Sequence, residues 1–224
     1  MNPFFKFINS SVGKKILMSL TGMFLSIFLV EHLAGNLLLL KNDNGETFNA
    51  YAKFMGGNPI VRTLEIGLLS IILLHIINGI RLWLENRSAR GKKYDAYQLS
   101  ENTTLQSRMM KLSAALFLWF LIVHMRTFWF HARILEEHDI ASLVYSTFQQ
   151  LWYVVFYLGA LVVVGFHLRH GFQSAFQTLG LRTKRYQSMI DFIAVLFWFA
   201  VPAGFAVITI FIYLYKGNTV ALVQ

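Results

Sequence analysis

The 224 residues are 56% apolar and only 14% charged, against roughly 25% charged in a soluble domain, and a single water-soluble core of this size cannot hide that much apolar surface. Cysteine is absent, which excludes iron–sulfur clusters, covalently attached haem, thiolate zinc sites, disulfides and a cysteine nucleophile. The formal charge of +9, set against such apolar content, points to a membrane protein with cationic loops rather than to a nucleic-acid binder.

In chain order, Pro3–Val12 places Phe4, Phe5, Phe7 and Ile8 beside Lys6, the pattern of a segment lying in the membrane interface. Lys14 and Lys15 precede a first apolar span, Ile16–Leu40. It is too long for the 7–15-residue apolar core of a signal peptide, so an uncleaved helix is expected. A polar connector over Lys41–Asn58 leads to Arg62–Leu84, followed by Lys111–Arg133, Leu151–Ala175 and Met189–Tyr215. Each span reaches the roughly 20 residues a membrane helix needs, and no short alternating strands of a barrel are visible. The expectation is an all-α integral membrane protein, one membrane domain over 1–224, with five transmembrane helices. Four of them form a core and the fifth packs beside it.

Loop charges set the direction. With the N-terminus in the cytoplasm, Lys6, Lys14, Lys15, Arg81, Arg87, Arg90, Lys92, Lys93, Arg108, Lys111, Arg169, Arg182, Lys184 and Arg185 are inside. Only Lys41, Lys53, Arg62, Arg126, Arg133 and Lys216 are outside. The bias predicts N-in and C-out. The connectors are too short for a folded extramembrane domain.

His32, His75, His124 and His167 fall one to each of the first four spans. Counted from the flanking charges at 1.5 Å per residue, His32 and His124 lie in the outer half, and His75 and His167 in the inner half. An imidazole in lipid is costly without a partner and marks a functional site. Low-spin haem iron takes one axial nitrogen on each side, whereas zinc wants four ligands at one depth. Two b haems therefore fit, with His32 and His124 as the outer axial pair and His75 and His167 as the inner pair. Gly35, Gly79 and Gly171 share the histidine faces at three- or four-residue offsets and offer room for a porphyrin. Helix packing is the plainer use of such glycines. Arg81, Arg169 and His170 suit the propionates of an inner haem, and Arg126 and Arg133 those of an outer one. Snorkelling is the plainer use of these cations. His131 and His138 have no assigned role.

The chain resembles the five-helix, dihaem cytochrome b membrane-anchor subunit (cytochrome b558 type) of succinate:quinone oxidoreductases, that is, succinate dehydrogenase and fumarate reductase. The resemblance rests on Thr21-Gly22, His32 with Gly35-Asn36, Gly56-Gly57-Asn58-Pro59-Ile60, His75 with Gly79 and Arg81, and His124. Its most specific stretch runs from His167 through Arg169, His170, Gly171, Ser174, Gln177 and Thr178 to Gly180. It implies that His75 and His167 hold a proximal haem b, and His32 and His124 a distal one. It also implies a flavoprotein (FAD) subunit and an iron–sulfur subunit on the cytoplasmic face, with membrane quinone as the electron partner. Many dihaem members use menaquinone. A bacterial cytoplasmic membrane location, lipid contact and association into higher oligomers are further implications, and no catalysis is expected of the chain alone. Some dihaem members carry an intramembrane Glu two residues before the fourth histidine; here that position is Gly165.

For quinone, the first outer connector and its flank offer Glu31, Glu46, Tyr51 and Lys53 near the outer haem level. Glu31 stands equally as a proton group or as a partner for Arg126. The nearest alternative is the dihaem cytochrome b of a hydrogenase or formate dehydrogenase, which places two histidines on one helix; one ligand per helix argues against it. A transporter predicts broken helices at mid-membrane, and Pro202, the one proline inside a span, lies on the fifth, which carries no histidine. A desaturase-like di-iron enzyme needs clustered histidine boxes, and His167/His170 is the one close pair within a helix.

Overall fold

The computed structural model describes residues 2–88 and 105–216, with side chains in the second stretch from 109 onward. Arg90, Lys92, Lys93 and the Arg108 side chain, four of the cations expected inside, lie outside the described residues. Among the described residues the protein is all helix. A short α1 (Pro3–Asn9) abuts α2 (Ser11–Asn36), which Ser10 caps by accepting from the Gly13 N–H. A tight turn, Leu37–Leu40, ends that span. There follow α3 (Glu46–Gly57), α4 (Pro59–Ser88) and α5 (Leu105–His124), the last carried on by a π-type turn over Met125–Trp129 and a final turn Phe130–Arg133. Then come α6 (Ile140–Phe148), α7 (Leu151–Thr178), α8 (Gln187–Val195), a second π-type stretch over Leu196–Ala200, and α9 (Val201–Tyr215).

Five continuous helical stretches are long and apolar enough to cross a membrane: Ser11–Leu40, Pro59–Ser88, Met109–Arg133, Leu151–Thr178 and Gln187–Tyr215. The chain is an integral membrane protein. The spans extend beyond the apolar runs because capping residues and charged ends continue the helix past the hydrocarbon. Large side chains such as Leu64, Ile66, Leu73 and Ile77 of α4, or Phe192 and Phe199 of the last span, are exposed, as lipid-facing residues are.

α7 is the centre, packing against α2, α5 and the α8–α9 span, with Val154, Tyr157, Leu161, Val164, Leu168 and Phe172 buried. α4 is peripheral. Its main neighbours among the described residues are α2 and α3, and Asn78 is its buried residue. Lipid supplies no hydrophobic drive between helices, so small and polar residues hold this pair together. The Asn78 amide donates to Lys14 O at 2.7 Å, Lys14 pairs with Glu85, and Gly79 makes room for Met18. At the other end of α4, Glu65 takes the Trp129 indole N–H at 2.6 Å, Arg133 Nε at 3.2 Å and Arg62 at 2.7 Å. These contacts tie α4 to the end of the third span.

Two short helices, α3 and α6, occupy the connectors after the first and third spans. They clasp each other. Asn49 donates to Asp139 at 2.8 Å and its carbonyl oxygen accepts from the Ala141 N–H at 2.9 Å. Gly45, at φ +88°, holds the entry to α3, and a Cβ there would stand 2.3 Å from the Ala141 Cβ. Tyr145 is buried beneath, donating to Leu39 O at 3.2 Å. Together they close one end of the bundle, opposite the face that carries the N-terminus.

Candidate functional site

The four intramembrane histidines lie at two levels. His32 of α2 and His124 of α5 meet with ring centroids 5.8 Å apart and planes near perpendicular. Aromatic rings enclose them: Phe28 and Phe205 lie 5.4 and 5.5 Å from His32, and Phe120 and Phe128 lie 5.6 and 5.4 Å from His124. The His124 Nδ1 is 3.3 Å from the Tyr157 hydroxyl. The π-type turn begins at the residue after His124; such extra-residue turns recur at functional sites.

His75 lies deeper toward the N-terminal face. Its Nδ1 is 2.9 Å from Thr21 Oγ1, eleven residues before His32 on α2, so the two levels are separated by roughly 16 Å of helix. Gly22 lets the ring close on α2, since a Cβ there would meet His75 Cε1 at 3.2 Å. His167 of α7 packs on Phe117 at 5.4 Å, two turns before His124 on α5. Its Nδ1 is buried and has no hydrogen-bond partner among the described residues. The structure thus brings His32 to His124, and sets both His75 and His167 at a level nearer the N-terminal face.

These residues suit a b-type haem at each level. The donors are two imidazoles at each level, and at the outer level the two rings meet. At metal–nitrogen bonds of about 2 Å, a 5.8 Å ring separation is on the scale of two such bonds plus the rings. The orphaned Nδ1 of His167 marks a buried polar ring that its protein neighbours do not satisfy, and no third or fourth acidic or imidazole ligand joins either pair among the described residues.

The cations considered for propionates have protein partners. Arg81 donates to Asn9 at 2.9 Å, and Arg169 lies over the Trp198 ring at 5.2 Å. His170 Nε2 is 3.3 Å from Ser174 Oγ. Arg126 lies over Phe130 at 4.6 Å, and Arg133 is engaged by Glu65. Arg126 also borders a cavity of about 490 Å³ with Thr127, His131, Ser146, Gln150 and Tyr153.

Of the residues considered for quinone, two come together. Tyr51 of α3 donates to Glu31 of α2 at 3.0 Å, so the partner of Glu31 is Tyr51 rather than Arg126. Burial, then the neighbouring Glu31 carboxylate, push the Tyr51 hydroxyl up to about 12. Gly35 serves this contact, because a Cβ there would lie 2.8 Å from the Tyr51 ring. Its role is to admit a tyrosine, where the sequence suggested porphyrin room. Gly79 likewise faces Met18 at 3.3 Å, while Gly171 has nothing within 4 Å. Glu46 and Lys53 are exposed on α3.

Hydropathy reading missed Thr21 and Tyr157 as histidine partners and Glu65 as the clasp of α4. A hydroxyl inside an apolar span signals a polar partner only when the facing helix is known. Gly165 also has a tertiary cause. A Cβ at 165 would stand 2.9 Å from Trp198 O of the last span. Pro202, four residues on, cannot donate to that carbonyl and its ring crowds it. The carbonyl of one helix therefore occupies the space where a side chain at 165 would sit.

Comparison with known proteins agrees with this membrane architecture. No curated protein and no solved structure matches the chain. Residues 15–98, covering the first two spans with His32 and His75, match the family model for the succinate dehydrogenase/fumarate reductase transmembrane subunit.

Proposed function

We propose that the chain is the dihaem cytochrome b membrane anchor of a succinate dehydrogenase or fumarate reductase, passing electrons between an iron–sulfur subunit and membrane quinone. The observation that carries this reading is the placing of four intramembrane imidazoles at two depths, His32 against His124 at 5.8 Å, and His75 beside Thr21 with His167 beside Phe117 nearer the N-terminal face. Two haem b groups, when bound, supply one-electron carriers at successive depths. His75 and His167 would hold the proximal one, and His32 and His124 the distal one. The N-terminal face, with Lys6, Lys14, Lys15, Arg81, Arg182, Lys184 and Arg185, is the cytoplasmic side of a bacterial membrane. There it docks the iron–sulfur subunit, which in turn carries the FAD-binding subunit. The iron–sulfur clusters belong to those chains because this one has no cysteine to hold them.

The residues divide the remaining work. The aromatic shells around His32 and His124 exclude water and lower the local dielectric, and shell polarity tunes the potential of such a centre. Quinone, menaquinone in this reading, approaches the distal level from the end closed by α3. Tyr51 and Glu31 there form a hydrogen-bonded pair able to hold or donate a proton, with Glu46 and Lys53 on the exposed side of the same helix.

Dithionite-reduced membranes containing the full chain should show low-spin b-type bands. His75→Ala or His167→Ala should remove one haem, and His32→Ala or His124→Ala the other. A chain with no bound haem would overturn the reading. Loss of the same haem from His32→Ala and His75→Ala would overturn the pairing.

A further inference from the structure

The bond between Thr21 and His75 has a direction that the rest of the site fixes. A threonine hydroxyl has one proton and two lone pairs. Thr21 Oγ1 lies 2.8 Å from Leu17 O and 3.2 Å from Met18 O, both carbonyls of its own helix. These can only accept, so the hydroxyl proton is spent on the backbone. At 2.9 Å from His75 Nδ1, Oγ1 is left as an acceptor, and the ring nitrogen must carry the proton. If the hydroxyl donated to His75 instead, two oxygens 2.8 Å apart would face each other without a proton between them. The ring also packs on the α2 backbone. Its Nδ1–Cε1 edge lies against α2 because Gly22 leaves room there, with a would-be Cβ 3.2 Å from Cε1. Met18 against Gly79 and the Asn78–Lys14 bond hold α4 in that register one turn further on.

We propose that Thr21 is a positioning residue: its hydroxyl accepts the His75 Nδ1 proton, fixes the imidazole as the Nδ1–H tautomer, and leaves Nε2 as the bare donor for a metal. The inference rests on the dihaem reading for the identity of the metal, while the tautomer itself depends only on the protein. At the other level the corresponding contact is with a tyrosine. His124 Nδ1 is 3.3 Å from Tyr157, a longer contact. An acceptor on the far nitrogen raises ligand basicity, and loss of such a partner typically costs 10–100-fold in metal affinity or activity. A more basic imidazole favours the ferric state, so losing Thr21 should raise the potential of the haem that His75 holds.

The test uses Thr21→Val, which keeps the shape and removes the acceptor, and Thr21→Ser, which keeps the acceptor. In membranes containing the whole complex, optical redox titration and the low-spin ferric electron-spin signals should resolve two b components. In Thr21→Val the component lost in His75→Ala should move to higher potential with a displaced signal, and the other should stay. Thr21→Ser should behave as the unsubstituted chain. Nitrogen-15 spectra of the histidine-labelled, haem-free chain give a second readout. They should show His75 protonated at Nδ1, changing to Nε2 in Thr21→Val. An unmoved component at full haem content, an equal shift in Thr21→Ser, or an Nε2-protonated His75 in the unsubstituted chain would each overturn the proposal. Absence of any b component beside an Nδ1-protonated His75 would instead overturn the haem reading and leave the tautomer assignment standing.

Discussion

Tyr51 and Tyr145 show how a single side chain reports its surroundings at the end closed by α3 and α6. Both hydroxyls are raised to about 12. Burial leads in each case; Glu31 adds to it for Tyr51, and the Asp43 and Asp139 carboxylates add to it for Tyr145. A phenol raised above its unfolded value near 10 contributes stability that is fully present below pH 10. That stability is lost as the pH rises from there through 12, because the unfolded chain releases the proton first. Ultraviolet titration of the folded protein should therefore show unchanged tyrosinate absorbance between pH 10 and 11 in Tyr51→Phe and Tyr145→Phe, with amplitude missing only near pH 12. Asp43 runs the other way. The Thr47 hydroxyl holds its carboxyl below the ordinary range, so its contribution is present above the unfolded value and is lost on acidification through the lowered one. Glu65 is the other residue whose partners define it. Glu65→Gln keeps the shape and removes the charge that Arg133 and Arg62 face. Hydrogen bonds to charged groups carry roughly 1.5–3 kcal/mol. A loss of that order in thermal unfolding in detergent is expected, accompanied by faster proteolysis near Pro59, where α4 would come loose from the third span.

The last span has a defect with a purpose. Pro202 removes a donor and crowds the carbonyl four residues back, and the helix answers with a π-type stretch over Leu196–Ala200. That carbonyl, Trp198 O, is the atom 2.9 Å from a would-be Cβ at 165. The two helices are therefore coupled. Gly165→Ala should destabilise the protein by about 1–3 kcal/mol through overpacking. Pro202→Ala, which lets the span relax toward regular helix, should make Gly165→Ala cheaper, so that the double variant loses less than the two single losses combined. Strict additivity in thermal unfolding would show that the carbonyl does not move. The sequence marks the proline and the glycine, but nothing in it says that they face each other across two helices. The same limit hid α3 and α6. Each is about ten residues, too short for hydropathy to single out as a span, and each is held by contacts such as Asn49 with Asp139 that join segments ninety residues apart.

Across the whole molecule, the number of membrane helices and the placing of one histidine on each of the first four follow from the sequence alone. Lipid leaves an apolar run of this length only one way to satisfy its backbone, and helical rise converts residue number into depth. Those two rules need no knowledge of neighbours. They say nothing about azimuth, and azimuth decided the rest. The tertiary structure put His32 on His124, gave Thr21 rather than a second imidazole to the Nδ1 of His75, and committed Arg133 to Glu65. It turned Gly35 toward Tyr51, and it made α7 the central helix while α4 stayed at the edge. Small residues and buried polar pairs set these choices, because between lipid-immersed helices the apolar surface has no preference of its own.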